Sequence, residues 1–551
     1  MPPKGRLGEI LVKLGFITPE HIEVALKIQK IQKKKLGEIL KELGFVSPRE
    51  LALALAYQAN LEYINLEEYY PKKEALFLLT KRISSLYNAL CLDIQGDTVL
   101  VVIDDPYDIR KQATLRSLLK NYKIKFAISE PEAIVRAIEI YYTYYTNPLD
   151  KQFTEEILKP EPDIEKVVNL ILNMAIYYNA SDIHINPLSN VSFLFLRIDG
   201  ILQPTAVIPY ALHGNIVSRI KLMANMNVAE RRIPQDGSFS YSSLGQKVDV
   251  RVSTLPTAFG EKVVMRVLKK DISKLNLDFL GFLPVQKNLL RKAINLSFGM
   301  LIVSGPTGSG KSTTLYSLLR SINYLKRNVV TVEDPIEYRF NFIYQTEINT
   351  AIGYKFSTAL KYFMRQDPDV ILIGEIRDNE TANTSVEAAN TGHLLLSTIH
   401  ANCAVTTVQR LLNLVEDKDM ALSVLKVISA QRLLRKLCPF CKEEAKEDLE
   451  LLKKKYSKVF DLIDFEPKVY RAKGCERCGN RGYIGRTVLA EVLEMEDDFV
   501  NMFYKDASLV DIKKKLEEKN FLDMSKVATY KILSGETDIN EVKRVLGASF
   551  I

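Results

Sequence analysis

A phosphate-binding loop near the middle of the chain constrains the fold more than any other feature. Residues 305–312 read GPTGSGKS, a full match to the pattern G-x-x-x-x-G-K-[ST]. An apolar run, residues 300–304, precedes the loop, and an apolar-periodic segment, residues 313–325, follows it. A strand, a glycine-rich turn and a helix in this order predict an α/β sheet that presents backbone N–H groups and a helix N-terminus to phosphate. A chance glycine-rich loop is the alternative.

The loop predicts ATP with Mg²⁺ as its ligand. Lys311 would bring a positive charge to the β- and γ-phosphates, and the hydroxyl of Ser312 would reach Mg²⁺. The residues expected to hold the nucleotide and its metal are Gly305, Pro306, Thr307, Gly308, Ser309, Gly310, Lys311, Ser312, Thr313, Glu333 and Asp334.

A strand that ends in an acidic residue lies downstream of the loop. Residues 369–375 read DVILIGE, which predicts a buried strand with Glu375 at its carboxyl end. Ligands sit at that end of the strands in open α/β sheets. Glu375 would hold the Mg²⁺ shell or orient water, which indicates hydrolysis rather than binding alone. The alternative is a solvated glutamate at the end of a strand.

Two further segments carry polar residues that suit a triphosphate site. Residues 331–338 read TVEDPIEY, and their clustered carboxylates suit Mg²⁺ coordination or polarisation of the attacking water. Residues 391–402 read TGHLLLSTIHAN, in which neutral His393 and His400 would hydrogen-bond the γ-phosphate or the carboxylates. A charged loop and a pair of structural histidines are the alternatives.

Composition places the chain among multidomain globular proteins. A chain of 551 residues is too long for a single hydrophobic core. Its content of 47% hydrophobic and 26% charged residues is ordinary for a folded protein. No apolar run reaches the ~18 residues of a membrane helix, and the N-terminus lacks the apolar core of a signal peptide. We therefore expect a cytoplasmic protein with peripheral membrane contact through partners. The net charge of +8 is mild and dispersed, so direct nucleic-acid binding is not expected.

Four of the six cysteines form two Cys-x-x-Cys pairs. Four thiolates at this spacing suit a closed, structural Zn²⁺ site, with a helical excursion over residues 447–463 between the pairs. The expected ligands are Cys438, Cys441, Cys475 and Cys478. Cys91 and Cys403 are predicted to be ordinary buried cysteines. Four unrelated cysteines and a redox pair are the alternatives.

The first 60 residues contain a gapless internal repeat. Residues 6–29 read RLGEILVKLGFITPEHIEVALKIQ, and residues 35–58 read KLGEILKELGFVSPRELALALAYQ. Each copy predicts a short helix, a glycine turn and a second helix that starts at Thr-Pro or Ser-Pro. Each opens with a cation, Leu and Gly and closes with Gln; these residues are Arg6, Leu7, Gly8, Gln29, Lys35, Leu36, Gly37 and Gln58. Two equivalent sites suit a two-fold ligand, and a helical docking module is the alternative.

The order of these motifs resembles the secretion ATPase superfamily, in particular the GspE/PilB branch of type II secretion and type IV pilus extension motors. Residues 180–187 (ASDIHINP), 229–237 (AERRIPQDG) and 251–268 are similar to the family's domain ahead of the motor core. Residues 431–441 (QRLLRKLCPFC) are similar to the segment that leads into its zinc site. The N-terminal repeat resembles the cyclic-di-GMP-binding domain of MshE-type pilus ATPases.

The resemblance implies an α/β multidomain fold. A RecA-like P-loop NTPase core is preceded by a PAS-like α+β domain, with a helical/α+β N-terminal domain and a zinc-binding insert. The expected divisions are 1–63 (tandem helical repeat, cyclic-di-GMP-binding), 64–145 (α/β part of the N-terminal domain), 146–163 (linker), 164–270 (PAS-like domain), 271–435 (ATPase core), 436–486 (zinc-binding segment) and 487–551 (C-terminal helical segment).

The resemblance also implies Mg²⁺-dependent ATP hydrolysis by a homohexamer that drives an inner-membrane platform protein. Glu337 would activate water, Glu375 would be the Walker B glutamate, and His400 would sense the γ-phosphate. Arg251 and Arg266 of the preceding domain would close over the phosphates. Cyclic-di-GMP would act as a regulator.

One departure from the family pattern concerns the residue after PQDG, where Arg is usual and this chain has Ser238. An arginine there would add charge-assisted phosphate contacts, and without it Arg231, Arg232 or Arg251 is the alternative source of such a contact. A nucleotide-sensing scaffold with little turnover is therefore one alternative to the motor. A DNA-uptake motor is the alternative within the same class.

Overall fold

The described part of the chain folds into two units, Met1–Asp271 and Ile272–Ile551. The computed structural model describes residues 5–269, 272, 275–475 and 478–550. Among these residues, no helix is both long and apolar enough to cross a membrane.

The repeat forms four helices at the start of the first unit. They are α1 (Leu7–Lys13), α2 (Pro19–Gln32), α3 (Leu36–Glu42) and α4 (Pro48–Ala59). Helix α1 packs on α4, and α2 packs on α3, so each copy of the repeat contacts the other. Pro19 and Pro48 stand at the first helical position after Thr18 and Ser47. The two-helix prediction for each copy is confirmed.

A four-stranded sheet follows the repeat. Its elements are β1 (Glu62–Tyr63), α5 (Lys73–Leu76), α6 (Lys81–Tyr87), β2 (Ala89–Gln95), β3 (Thr98–Ile103), α7 (Ile109–Leu118), β4 (Lys123–Ile128) and α8 (Pro131–Thr146). The strand order is β1-β4-β3-β2, and apolar cores cover both faces. Cys91 on β2 is buried, as predicted.

The rest of the first unit is an antiparallel sheet with helices on one face. Its elements are α9 (Leu149–Ile157), α10 (Ile164–Tyr177), β5 (Asp182–Pro187), β6 (Val191–Ile198), β7 (Ile201–Pro209), α11 (Tyr210–Met223), β8 (Gln235–Ser243), β9 (Gln246–Thr257) and β10 (Gly260–Leu268). The strand order is β7-β6-β5-β10-β9-β8. The strands alternate buried and exposed residues, as a sheet with one covered face must.

The predicted linker over residues 146–163 is wrong for half of its length. Helix α9 occupies residues Leu149–Ile157, and Leu149 and Phe153 are buried in the core that α10 and α11 share with the sheet. The polar residues and prolines that suggested a linker flank the helix or lie on its outer side. Three apolar residues at helical spacing were enough to dock it.

The second unit is built on a seven-stranded sheet. Its elements up to the cysteines are α12 (Pro284–Ile294), β11 (Gly299–Ser304), α13 (Lys311–Arg320), β12 (Val329–Glu333), β13 (Tyr344–Glu347), α14 (Phe356–Phe363), β14 (Val370–Ile373), α15 (Asn379–Asn390), β15 (Leu394–Ile399), α16 (Ala404–Leu414), α17 (Lys418–Val424) and β16 (Leu425–Leu437). The order is β13-β12-β14-β15-β11-β16, and these six strands are parallel.

The C-terminal part of the unit completes this sheet. Its elements are β17 (Glu443–Glu444), α18 (Lys446–Lys455), α19 (Ser457–Phe460), β18 (Tyr470–Arg471), β19 (Tyr483–Glu494), α20 (Asp497–Tyr504), α21 (Leu509–Glu518), α22 (Met524–Leu533) and α23 (Ile539–Leu546). Strand β19 pairs antiparallel with β16 at the sheet edge. The prediction of helices throughout residues 487–551 is therefore wrong for the first eight residues, which belong to β19. The helices predicted between the cysteine pairs are confirmed.

Candidate nucleotide site and cysteine cluster

The glycine-rich loop connects the fully buried strand β11 to the first turn of α13. Gly305 has φ +148°, and a Cβ there would lie 2.5 Å from the Gln431 carbonyl oxygen and 2.5 Å from the Ser309 hydroxyl. Only glycine fits this close approach of two backbone segments. The tight loop leaves Lys311 at the first helical position, facing back across the turn.

Lys311 closes the loop on itself. Its Nζ donates to the carbonyl oxygens of Gly305 (3.0 Å) and Pro306 (3.1 Å). Burial lowers the pKa of Lys311, the carboxylate of Glu375 raises it, and the charge of Arg432 lowers it. The hydroxyl of Ser309 is buried without a hydrogen-bond partner among the described residues. A positive charge and an unsatisfied hydroxyl in one loop fit the oxygens of a phosphate.

Glu375 and His400 lie at the carboxyl edge of the sheet. Strands β14 and β15 are parallel neighbours, so the residues that follow them meet at one edge. The Glu375 carboxylate pairs with Arg377, and its Oε2 lies 3.6 Å from His400 Nε2. Burial, followed by the positive charge of Lys311, lowers the pKa of His400. The neutral imidazole that the sequence predicted is therefore favoured.

His393 lies at the other end of the same strand. It precedes β15, and its Nδ1 is 2.8 Å from the Ala388 carbonyl oxygen and 3.2 Å from the Thr391 hydroxyl. Six strand residues separate it from His400. The prediction that both histidines serve the phosphate site is wrong for His393, which has a structural role at the end of α15.

The acidic residues after β12 differ from one another in burial. Glu333 is buried, and its carboxylate accepts hydrogen bonds from the Tyr316 hydroxyl, Thr331 Oγ1 (2.6 Å) and Gln345 Nε2 (3.0 Å). Asp334 is exposed and Glu337 is half-buried. The geometry favours a positioning role for Glu333 over direct contact with Mg²⁺, and it leaves Asp334 and Glu337 as the accessible carboxylates.

Gln431 contacts the phosphate loop and was not singled out from the sequence. Its side chain is fully buried on β16, where Nε2 donates to the Ser309 carbonyl oxygen (2.9 Å). Its Oε1 accepts from the hydroxyl of Thr314 on α13 (3.0 Å). The next residue, Arg432, donates to the side chain of Asn402 (3.0 Å), two positions after His400. Strand β16 also contains Lys426, Ser429, Arg435 and Lys436, so a polar residue type by itself could not single out Gln431 and Arg432.

Comparison with known proteins places the chain in a family. The model of the family described as "Type II/IV secretion system protein" matches residues 158–544, and the MshEN domain model matches residues 59–144. The chain belongs to the type II/IV secretion system protein family. The family and its named relatives support an ATPase enzyme, and the mixed α/β second unit contains a RecA-like ATPase core.

The relatives are pilus and secretion ATPases. The type IV pilus assembly ATPase PilB of Myxococcus xanthus is 37% identical, and the match covers 98% of both chains. PilB of Thermus thermophilus is 36% identical over 98% of this chain, which spans 66% of that protein. The type II secretion system ATPase E of Vibrio cholerae is 41% identical over 71% of this chain and 77% of its own length. The X-ray structure of the Legionella pneumophila ATPase DotB (TM-score 0.51, 18% identity, 70% of this chain and 96% of that one) shows the same fold.

The two arginines predicted to serve the phosphates lie in the first unit of this secretion ATPase. Arg251 on β9 stands opposite Arg266 on β10 and opposite Ser238 on β8, all on the exposed face of the sheet. Arg266 Nε donates to Asp182 Oδ1 (3.1 Å), and the other carboxylate oxygen, Asp182 Oδ2, lies 3.7 Å from Arg197 Nε. The sheet therefore carries a row of positive charge with a single carboxylate inside it.

The four cysteines of the predicted zinc site converge. Their sulfur atoms all lie within 4.8 Å of one another, with Sγ–Sγ distances of 3.9, 3.9 and 3.8 Å for the pairs Cys438–Cys475, Cys441–Cys478 and Cys475–Cys478. Four sulfurs placed tetrahedrally at ~2.3 Å from Zn²⁺ would be about 3.8 Å apart. The backbone N–H groups of Cys475 and Gly482 donate to Cys478 Sγ. These residues fit a zinc ion.

The N-terminal repeat brings its two ends together crosswise. Gln58 Nε2 donates to the carbonyl oxygen of Gly5 (2.8 Å), and Gln29 Nε2 donates to that of Lys34 (2.8 Å). Each glutamine thus bonds the residue before the cation of the other copy, which places Gln58 beside the start of the first copy and Gln29 beside the start of the second. A Cβ on Gly37 would lie 3.1 Å from Leu51, which gives that glycine a packing role as well.

Proposed function

We propose that this protein is a Mg²⁺-dependent ATP hydrolase that works as a homohexameric motor of type IV pilus assembly or type II secretion. The observation that carries the proposal is the convergence of Lys311, Glu375 and His400 beside the glycine-rich loop. A charged donor, a carboxylate and a neutral imidazole at one sheet edge suit phosphoryl transfer to water. A purified oligomer that releases no phosphate from ATP with Mg²⁺ present would refute it.

Each residue has a distinct task in the proposed reaction. Lys311 exchanges its bonds to the loop carbonyls for phosphate oxygens of the substrate, and neutral His400 donates a hydrogen bond to the γ-phosphate. Glu337 accepts a proton from the attacking water, and Glu375 orients that water or the metal shell. Mg²⁺, when bound through Ser312, would neutralise the charge that develops on the phosphates.

The arginines of the preceding domain belong to the same proposal. Arg251 and Arg266 would add positive charge to the phosphates, as the family resemblance implies. The exposed, antiparallel arrangement of their sheet, with its helices on one face, supports treating residues 164–270 as a ligand-facing PAS-like domain. Alanine variants of each arginine test this step, as described in the Discussion.

The match to PilB over 98% of both chains favours pilus assembly over secretion as the pathway. We therefore propose a motor at the cytoplasmic face of the cell membrane that acts on a platform protein of the pilus machine. Sedimentation of the purified chain with MgATP should give a hexamer. Co-purification with the platform protein of a secretion or DNA-uptake machine, and not with that of a pilus, would reassign the pathway.

The N-terminal repeat supports a regulator with two-fold symmetry, for which we propose cyclic-di-GMP. The crosswise half-sites each carry a cation, Arg6 or Lys35, beside a glutamine that is already held in place. Cations bind phosphate and stack on bases. Calorimetry should show micromolar or tighter binding that Arg6→Ala abolishes. Because lysine lacks the planar guanidinium, Lys35→Arg should strengthen binding. No heat from either form would leave a docking module as the function.

The cysteine cluster supports a structural zinc ion. Metal analysis of chelator-free protein should find one Zn²⁺ per chain, which Cys478→Ser removes and Cys403→Ser keeps. Zinc binding would contribute on the order of 10 kcal/mol to local folding, so the Cys478→Ser chain should be cleaved by protease between the two cysteine pairs. Metal-free wild-type protein with full protease resistance would refute the site.

A further inference from the structure

The segment that carries Glu337 is held by side chains rather than by secondary structure. Residues 334–343, which we call the acid loop, form neither helix nor strand. The loop connects β12 to β13, two parallel neighbours. Because backbone pairing does not fix such a loop, the position of Glu337 depends on the groups that bind the loop from outside.

Tyr316 on α13 binds the acid loop with its hydroxyl and its ring. The hydroxyl donates to the Glu333 carboxylate and accepts from the Glu337 backbone N–H (3.2 Å). The ring contacts Tyr338 edge-on, with centroids 5.4 Å apart, and packs at a tilt on Phe340 at 5.6 Å. Tyr316 is 3% exposed. One side chain therefore joins the phosphate-loop helix, the end of β12 and the acid loop.

Gln345 holds the other half of the acid loop. Its Nε2 donates to Glu333 Oε1 (3.0 Å) and to the Tyr338 carbonyl oxygen (2.9 Å). Its Oε1 accepts from the Phe340 backbone N–H (2.9 Å). Gln345 and Tyr316 thus meet at the Glu333 carboxylate, and each of them reaches out to backbone groups of the loop.

The protonation of this network is fixed by its surroundings. Burial, followed by the charge of Glu333, raises the pKa of Tyr316 well above its ordinary value. The phenol therefore keeps its proton, so the hydroxyl donates to Glu333 and offers its oxygen to the Glu337 N–H. A buried carboxylate that loses a donor is costly, which makes this arrangement stiff.

We propose that Tyr316 and Gln345 are positioning residues for ATP hydrolysis, which hold the Glu337 carboxylate at a fixed distance from the phosphate loop. Tyr316 lies on the same helix, α13, as Lys311 and Ser312. Its hydroxyl therefore connects Glu337, the proposed base, through one rigid helix to the residues that would bind the phosphates. The inference rests on the proposed function, in which Glu337 accepts the proton of the attacking water. Neither residue needs to touch the substrate.

The decisive experiment compares Tyr316→Phe with Glu337→Gln and with the double variant in the full-length oligomer. Tyr316→Phe should lower kcat at least tenfold, leave the KM for ATP within about threefold and keep the affinity for a fluorescent ATP analogue. The double variant should be no slower than Glu337→Gln, because the hydroxyl acts through Glu337. Tyr362→Phe, on the exposed face of α14, is the matched control and should behave as wild type.

The outcomes separate the inference from the proposed function. Wild-type kcat in Tyr316→Phe together with an inactive Glu337→Gln overturns the positioning role alone. If the loss of kcat in the double variant equals the product of the two single-variant losses, the two residues act independently, and this outcome also overturns the positioning role. Wild-type turnover in Glu337→Gln overturns the role of Glu337 in the proposed function. Should Tyr316→Phe fail to fold, Gln345→Met, which removes the amide and keeps the length, must show the same loss of kcat at constant KM.

Discussion

The two large sheets of this protein present charged residues in opposite ways. In the seven-stranded sheet, parallel strands deliver Glu375 and His400 to one edge, where the Glu375 side chain is only 12% exposed. In the six-stranded sheet, antiparallel strands spread Arg251 and Arg266 over an open face, and the Arg266 side chain is 64% exposed. The first arrangement is fixed before a ligand arrives. In the proposed reaction, Arg251 and Arg266 would have to order their long side chains on binding, which costs conformational entropy.

This contrast predicts that the largest losses of kcat follow from substitutions at the carboxyl edge of the parallel strands in the seven-stranded sheet. Lys311→Ala and Glu375→Gln should each lower kcat by about 10²–10³-fold, because each removes a preorganised group that acts on charge developing in the transition state. Phosphate release with Mg²⁺ is the measurement. The control is Lys361→Ala, whose pair with Glu380 is exposed to solvent and therefore contributes little to stability. Near-normal turnover in both variants would show that the edge of the seven-stranded sheet is not the more important site, and it would also contradict the assignment as a motor.

The second prediction concerns the clamp beneath the phosphate loop. Gln431→Leu would leave the Ser309 carbonyl and the Thr314 hydroxyl buried without partners, at about 1–3 kcal/mol each. The melting temperature should fall, and the affinity for a fluorescent ATP analogue should drop about tenfold per 1.4 kcal/mol lost from the loop. Gln152→Leu on α9 is the control. Unchanged affinity would show that the loop keeps its shape without Gln431.

The third prediction tests the open face. Arg251→Ala and Arg266→Ala should each lower kcat/KM by about 3–10-fold, since an exposed arginine gains less from a charge-assisted contact than a preorganised group. Arg197→Ala, in the same row, serves as the control. Because Arg266 pairs with Asp182, its removal should also lower the melting temperature slightly. A loss of activity as large as that of Lys311→Ala would mean that the arginines on the open face of the six-stranded sheet matter as much for turnover as the residues at the edge of the seven-stranded sheet.

The smallest effect is expected at Ser238, which faces Arg251 across the strands. Ser238→Arg introduces the arginine that the family resemblance implies at this position and should raise kcat/KM by a few-fold. It also places like charges opposite each other, which should lower the free energy of unfolding by about 0.2–1 kcal/mol. Paired kinetics and urea denaturation would measure both. A higher free energy of unfolding with no gain in kcat/KM would contradict the expected combination of higher activity and lower stability.

Local patterns predicted those parts of the molecule whose chemistry is contiguous in the chain. The glycine-rich loop, the buried strand before Glu375, the paired cysteines and the repeated helices all carry their spacing in a short segment. His393 was predicted to serve the phosphate site, but it precedes β15 and lies at the opposite end of the strand from His400, since residue type alone does not say which end of a strand faces a ligand. Helix α9 was missed because it has only three apolar residues, Leu149, Phe153 and Ile157, and polar residues surround them in the sequence.

The remaining errors and omissions depend on contacts between distant segments. The last eight residues of β19 were predicted as helix because the pairing partner of this strand, β16, is set by the sheet and not by the residues of β19. Gln431, Tyr316 and Gln345 look unremarkable in the sequence. Each becomes meaningful only when a strand or helix brings it against the phosphate loop or the acid loop.

The sequence by itself determined the family and the glycine-rich loop, and it predicted the cysteine cluster and the duplicated N-terminal motifs, because backbone conformation and residue spacing there are local properties. Tertiary structure decided which histidine meets Glu375, how the two repeats pair crosswise and which buried side chains hold Glu337 in place. Those choices follow from the register of parallel strands and from the cost of burying polar groups without partners. Both are set only once the whole sheet has formed.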